Sequence, residues 1–340
     1  MKVASCLVSG RQPAPELAAT AVREALARAG CERAAGVLLF LTRDFAHHAQ
    51  PAVVAAARAA GTLEVAGCTA YGLLSDGGWL LDDAGAAALV IAPDEAAPAA
   101  VPDAPLLSFT GHHTLPYDWQ AGPPRAGLLD ADAAAWAHGR LSDDTCAAAR
   151  LPGVQARLAC SLGLRLLSGE LTVDAVNGYD VQRIGGQAAS ASLQRCLPAD
   201  ARNNPPLHQL VVVRQPGMPA LPILTANGDG SLTLAAPLLP GEPVRWAMRQ
   251  PLATEQDMRQ SLLAAVNPET RPDFAVMFSC LGRGPLFYGD DDRDLLAFRE
   301  QFPGVPLVGA YGSGQIAPVG GENRLFQNAV VTLLYESAHV

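Results

Sequence analysis

Two glycine-dense stretches constrain this chain more than any other feature. One is Pro306-Leu-Val-Gly-Ala-Tyr-Gly-Ser-Gly-Gln-Ile-Ala-Pro-Val-Gly-Gly321. The other is Leu63-Glu-Val-Ala-Gly-Cys-Thr-Ala-Tyr-Gly-Leu-Leu-Ser-Asp-Gly-Gly78. Glycine at this density marks backbone that turns with φ > 0 or lets a neighbour approach closely. Laying Gly67 on Gly309 also lays Gly72 on Gly314. An apolar strand (Val37–Leu41; Ala275–Phe278) and a helix (residues 50–60; 292–302) precede each stretch. An apolar strand follows it (Ala87–Ile91; Ala329–Leu334). This order predicts glycine-rich loops in an α/β unit used twice, an internal pseudo-repeat.

Composition narrows the function classes. A chain of 340 residues, 49% of them hydrophobic, has room for two domains with sizeable cores. A net charge of −9 argues against nucleic acid and against an anionic membrane surface. No apolar run reaches the about 18 residues a membrane helix needs. The sole lysine, Lys2, leaves none for a P-loop or a buried Schiff base. Seven widely spaced cysteines without a CxxC pair read as reduced thiols of a cytoplasmic protein. The apolar start is short and broken by Ser5 and Cys6, which predicts a first strand, not a signal peptide.

Strand patterns outnumber helical ones. The expected fold is therefore mixed α/β, with two β-sheet-containing domains and helices on the outer faces. Trp79–Leu81 and Ala87–Ile91 read as a hairpin pair, residues 92–105 as a surface loop, and the alanine-rich 130–150 as helical. Ala156–Leu167 and Leu171–Val176 read as strands paired around Ser168-Gly169. Asn177-Gly178 is a further turn, and Ile223–Leu234 a hairpin. Leu197–Leu207 is the expected linker between domains at 1–200 and 205–340.

Candidate chemistry is sparse. Arg283, between Gly282 and Gly284 at the end of an apolar strand, either reaches a ligand carboxylate or pairs with Asp290, Asp291 or Asp292. Cys68 and Cys280 are either nucleophiles or buried inert thiols. The stretch around Ser313 is not GxSxG, and Pro318 keeps a helix from opening behind Gly309–Gly314 to face a pyrophosphate. His47-His48 and His112-His113 are adjacent pairs whose side chains point apart, so neither makes a two-ligand metal site alone.

Taken together, Val3–Ser9, Val65-Ala-Gly-Cys-Thr-Ala-Tyr-Gly72, Asn177–Gly186, Phe278-Ser-Cys-Leu-Gly-Arg-Gly284 and Val308–Gly321 resemble the FIST family (F-box and intracellular signal transduction). The resemblance implies a bacterial sensory protein with FIST N-like and FIST C-like domains. It implies a small-molecule ligand and a histidine kinase or cyclic-nucleotide signalling partner. On this reading Arg183, Arg283, Tyr311, Ser313 and Gln315 contact the ligand between the domains, and Gly67, Gly309 and Gly314 give the backbone room. Cys68, Thr69 and Cys280, in the same signature segments, belong to the same expected ligand-binding set. A subset of the family implies a haem-based nitric oxide sensor, with His47, His48, His112 or His113 as axial ligand. The family pattern carries Glu and Gly where this chain has Gln315 and Ala317, and often a histidine where it has Phe326. The remaining alternatives are a cysteine-dependent enzyme and a scaffold that binds only protein.

Overall fold

The computed structural model describes residues 1–93, 104–151, 153–266 and 270–337. Strand β1 (Val3–Gly10) leads to helix α1 (Pro15–Ala29). Proline starts α1, where its missing N–H costs nothing, and Gly30 ends it at φ 65°. Then come β2 (Gly36–Thr42), α2 (Ala49–Ala60), β3 (Val65–Ala70), β4 (Gly72–Ser75), β5 (Gly78–Leu80) and β6 (Ala84–Ile91). β2 and β3 are parallel, β6 runs antiparallel to β2, and β1 antiparallel to β6. Helices α1 and α2 cover the face that carries Val37, Leu39 and Leu41. Strand side chains alternate, so Leu38 and Phe40 face the other way.

The same order of elements follows in shorter form. It comprises β7 (Leu106–Thr110), α3 (Tyr117–Gln120), β8 (Arg125–Leu129), β9 (Ala135–Ala137), β10 (Arg140–Leu141) and β11 (Cys146–Ala149). β7 and β8 are parallel, and β11 is antiparallel to β7. β12 (Val154–Ser161) ends this part of the chain.

Leu162–Asp257 form a separate compact unit. Its strands are β13 (Leu164–Leu166), β14 (Leu171–Asn177), β15 (Asp180–Ile184), β16 (Gln187–Ala188), β17 (Leu210–Val213), β18 (Leu221–Ala226), β19 (Leu232–Leu234) and β20 (Pro243–Arg249), with helix α4 (Ala189–Cys196). Pairing runs β20-β14-β15-β19-β18-β17 and returns to β20. Such closure leaves few unpaired edges. Val173, Ile184, Leu193, Val212, Leu234 and Trp246 fill the interior.

The chain then runs through α5 (Pro251–Ala265), β21 (Phe274–Cys280), α6 (Gly284–Tyr288), α7 (Arg293–Gln301), β22 (Leu307–Gly312), β23 (Gly314–Val319), β24 (Glu322–Phe326) and β25 (Val330–Ser337). From Met258 on, these residues belong with the N-terminal part: the first compact unit is Met1–Ser161 plus Met258–Val340. The sheet order β12-β25-β21-β22 has the same strand directions as β1-β6-β2-β3. Each of the three parallel pairs is extended by a strand from elsewhere: β3 by β9, β22 by β4 and β8 by β23.

The inner faces of the three sheets meet at Phe40, Phe109 and Phe278. Ring centroids lie 5.5, 5.9 and 5.9 Å apart, all edge to face. Two glycines are needed by the sheets themselves. A Cβ on Gly67 would lie 1.7 Å from the Leu39 carbonyl oxygen, and one on Gly309 1.8 Å from that of Met277. Thus the stretches expected as glycine-rich loops are strands, β3–β4 and β22–β23, each broken at a single residue, Tyr71 or Ser313.

Other expectations are corrected. Residues 130–150 form β9, β10 and β11 instead of a helix; the alanines at 135 and 147 are buried in sheets. β5 pairs with β4, because β6 is already held between β1 and β2. No hairpin forms around Ser168-Gly169: β12 pairs with β25 and β13 with β20. The hairpins at Asn177-Gly178 and within 223–234 do form. The stretch expected as a linker, 197–207, runs inside the second compact unit. Most of the expected 92–105 surface loop (94–103) lies outside the described residues. Among the described residues no helix is long and apolar enough to cross a membrane.

Gly309→Ala should cost at least about 2 kcal/mol, because its Cβ meets main chain that cannot rotate away. Gly78→Ala, at an open position, should stay within about 0.5 kcal/mol. Urea unfolding of the two variants checks this.

Candidate functional site

Parallel strands aim their carboxyl ends the same way, and in α/β sheets ligands collect at those ends. Here the ends of β2, β3, β8 and β22 deliver Arg43, Tyr71, Asp130 and Ser313 to one place. Arg43 grips Asp130 through two bonds, Nε to Oδ2 at 2.9 Å and Nη2 to Oδ1 at 2.6 Å. The Ser313 N–H donates to Asp130 Oδ1 at 3.2 Å, and its hydroxyl to the Leu129 carbonyl at 3.2 Å. The Tyr71 N–H donates to the Tyr311 carbonyl, joining the two glycine-rich segments. Arg43 also lies over the Tyr71 ring, 5.2 Å from its centroid.

The Asp130 side chain is fully buried, whereas that of Arg43 is 44% exposed. Burial pushes the Asp130 carboxyl up against the opposing pull of Arg43. The hydrogen bond to Asp130 pushes the Arg43 pKa up. The guanidinium is thus fixed in place and always charged. Its outer edge, the exposed Tyr71 ring and the half-buried Ser313 face solvent together. Such a surface suits a small molecule with an anionic group and a flat or apolar part.

Of the expected contact residues, Ser313 is at this site. Arg283 and Tyr311 sit instead in a buried network. Arg283 donates from Nε and Nη2 to Asp294, at 3.0 and 2.6 Å, and from Nη1 to the Ser161 carbonyl and hydroxyl, at 3.0 Å each. Asp294 takes the place expected for Asp290, Asp291 or Asp292, because it lies within α7 and faces inward at 0% exposure. The Tyr288 hydroxyl also donates to Asp294, at 3.0 Å. Asp292 caps α7, accepting from the Leu295 N–H at 2.9 Å, and accepts the Tyr311 hydroxyl. Burial first, and then the charge of Asp294, push the Asp292 carboxyl up to about 6.

The others are placed as follows. Gln315 is fully buried; its Nε2 lies 3.5 Å from the Gly312 carbonyl, and its Oε1 accepts nothing among the described residues. Gly314 lies where a Cβ would strike Leu325. The Thr69 hydroxyl accepts from the Ala134 N–H at 2.9 Å. Cys68 and Cys280 are buried, and burial holds the Cys68 thiol well above its ordinary range. Arg183 lies on β15 in the second unit and donates to the Gly186 carbonyl at 2.6 Å. His47, His48, His112 and His113 are exposed, and no cluster of three or more metal-ligating side chains occurs among the described residues. Sequence reasoning passed over Arg43, Tyr71 and Asp130. The available signal was a polar residue directly after an apolar strand run, at 42–43 and at 130.

Residues 189–318 match the FIST C domain. The match begins at α4 in the second compact unit and ends in β23, so it takes in Arg283, Tyr311 and Ser313. An uncharacterised protein of Mycobacterium tuberculosis is 25% identical over 190 residues, covering 52% of this chain and 50% of the relative. One of Mycobacterium bovis is 26% identical over 190 residues, covering 52% and 49%. Human F-box only protein 22 is 42% identical over 66 residues, 18% of this chain and 16% of that protein. The chain spans about half the length of the mycobacterial relatives it matches.

Two outcomes test the buried network. Arg283→Ala strands Asp294 as an unpaired buried charge and should cost about 3–5 kcal/mol in urea unfolding. For Asp292, a raised folded-state pKa means that the neutral form is the better tolerated. Its contribution is fully present below about pH 4 and is lost as pH rises through about 6. Relative to Asp292→Asn, the wild type should lose up to about 3 kcal/mol between pH 4 and pH 7. A difference that stays constant with pH would show that Asp292 titrates as an ordinary carboxylate.

Proposed function

We propose that this protein is a sensory module that binds a small, anionic organic molecule at Arg43, Tyr71 and Ser313 and signals its occupancy to a partner. The observation that carries the reading is the fixed guanidinium: Arg43 is clamped by buried Asp130 and laid on an exposed tyrosine at the strand ends. The match to the FIST C domain supports the sensory role. The same reading keeps residues 1–200 as FIST N-like and 205–340 as FIST C-like at the level of sequence. It treats the recurring β-α-β-β-β-β order as an internal repeat. Its output is a kinase or a cyclic-nucleotide enzyme, and its place is the cytoplasm.

Isothermal titration with the twenty amino acids and a set of short carboxylic acids tests the site. At least one should bind, and Tyr71→Leu and Ser313→Ala should each weaken it tenfold or more without changing the unfolding midpoint by more than a few degrees. Affinity indifferent to both substitutions would sink the assignment.

A further inference from the structure

A cavity of about 470 Å³ opens at the amino ends of β2, β3 and β7, the opposite edge from Arg43. That volume falls in the range of small-molecule sites. Leu38, Ala66, Leu106, Ala149 and Leu151 are among its walls. The charged groups at it are engaged with protein. Glu64 and His138 pair with each other at 2.9 Å, and Arg150 donates to the Ala104 carbonyl at 3.3 Å.

One wall of the cavity differs from the matching place in the other two sheets. In each sheet the closing strand lies antiparallel beside the phenylalanine-bearing strand. Beside Phe40, Phe278 and Phe109 stand Ala87, Val331 and Ala147. Two residues further on, on the same inner face, stand Leu89, Leu333 and Ala149. Two sheets thus fill this position with leucine, and the third leaves it to alanine. Protein interiors pack closely, and an apolar void holds apolar molecules better than water. The packing that a leucine at 149 would add is stability forgone, which is common where a site must stay open.

We infer that this cavity is a binding site for a small, uncharged, mainly apolar molecule of aromatic-ring or short-acyl size. It is independent of the anionic site at the other strand ends. The probe is N-phenyl-1-naphthylamine, a neutral dye that fluoresces in apolar surroundings, titrated into the 340-residue chain. A saturable signal with one site per chain is expected. Ala149→Leu, which supplies the side chain of the other two sheets, should weaken the dye at least tenfold while raising the unfolding temperature. Ala66→Phe should block the dye from the opposite wall, with circular dichroism confirming the fold. A signal that never saturates, or one unchanged in both variants, overturns the proposal. So does binding that appears only after residues 94–103 are replaced by a glycine-serine linker, since the space then belongs to the chain itself.

Discussion

Three phenylalanine rings packed edge to face hold the first compact unit together. Phe40, Phe109 and Phe278 each come from the first strand of a parallel pair, so their contact joins three sheets at one point. Ring pairs of this geometry add roughly 0.5–1.5 kcal/mol each beyond the area they bury. Their larger effect is on register. Sliding any of the three strands by one residue would turn its ring toward the helices and empty the centre. The close backbone approaches at Gly67 and Gly309 lie within the sheets, each glycine against its register partner on the parallel neighbour, Leu39 or Met277.

Around this apolar centre buried ionisable side chains are held by specific partners. Arg283 is tied to Asp294 and Ser161, while Asp292 caps a helix and receives a tyrosine hydroxyl. Arg43 with Asp130 differs in one respect. The carboxylate is fully buried, yet the arginine is nearly half exposed, so the pair fixes a charge at the surface. A surface arginine without such an anchor would sweep through many rotamers, and a ligand would have to pay for ordering it.

Long strands and helices were legible in the sequence. Val37–Leu41 and Ala275–Phe278 are continuous apolar runs, and α1 carries both a proline start and a glycine stop. The strands before and after the two glycine-dense stretches were legible for the same reason: they are full-length elements. The middle set was not. Its helix has one turn and its closing strand is Cys146-Ala-Ala-Ala149, so alanine composition suggested helix where tertiary pairing imposes strand. The glycines serve a different purpose from the one the sequence suggested. They make room for a neighbouring carbonyl, and the residues open to solvent there are their neighbours, Tyr71 and Ser313. Arg283 showed the limit of reading a polar residue between glycines: nothing in its local sequence tells that Asp294, the second residue of α7, closes on it.

The interruption of the first unit by residues 162–257 bears on how the chain is made. β12 finds a hydrogen-bonded strand partner only in β25, and β8 gains its outer neighbour only when β23 arrives. A ribosome adding about 5–20 residues per second takes on the order of ten seconds to cross the intervening segment. For that interval, and until β22, β23 and β25 follow, β4, β8 and β12 are complete in sequence but each open at an edge. The nascent chain must keep them from pairing with other chains, while the inserted segment, whose own strands close on each other, emerges with all its strand partners already supplied.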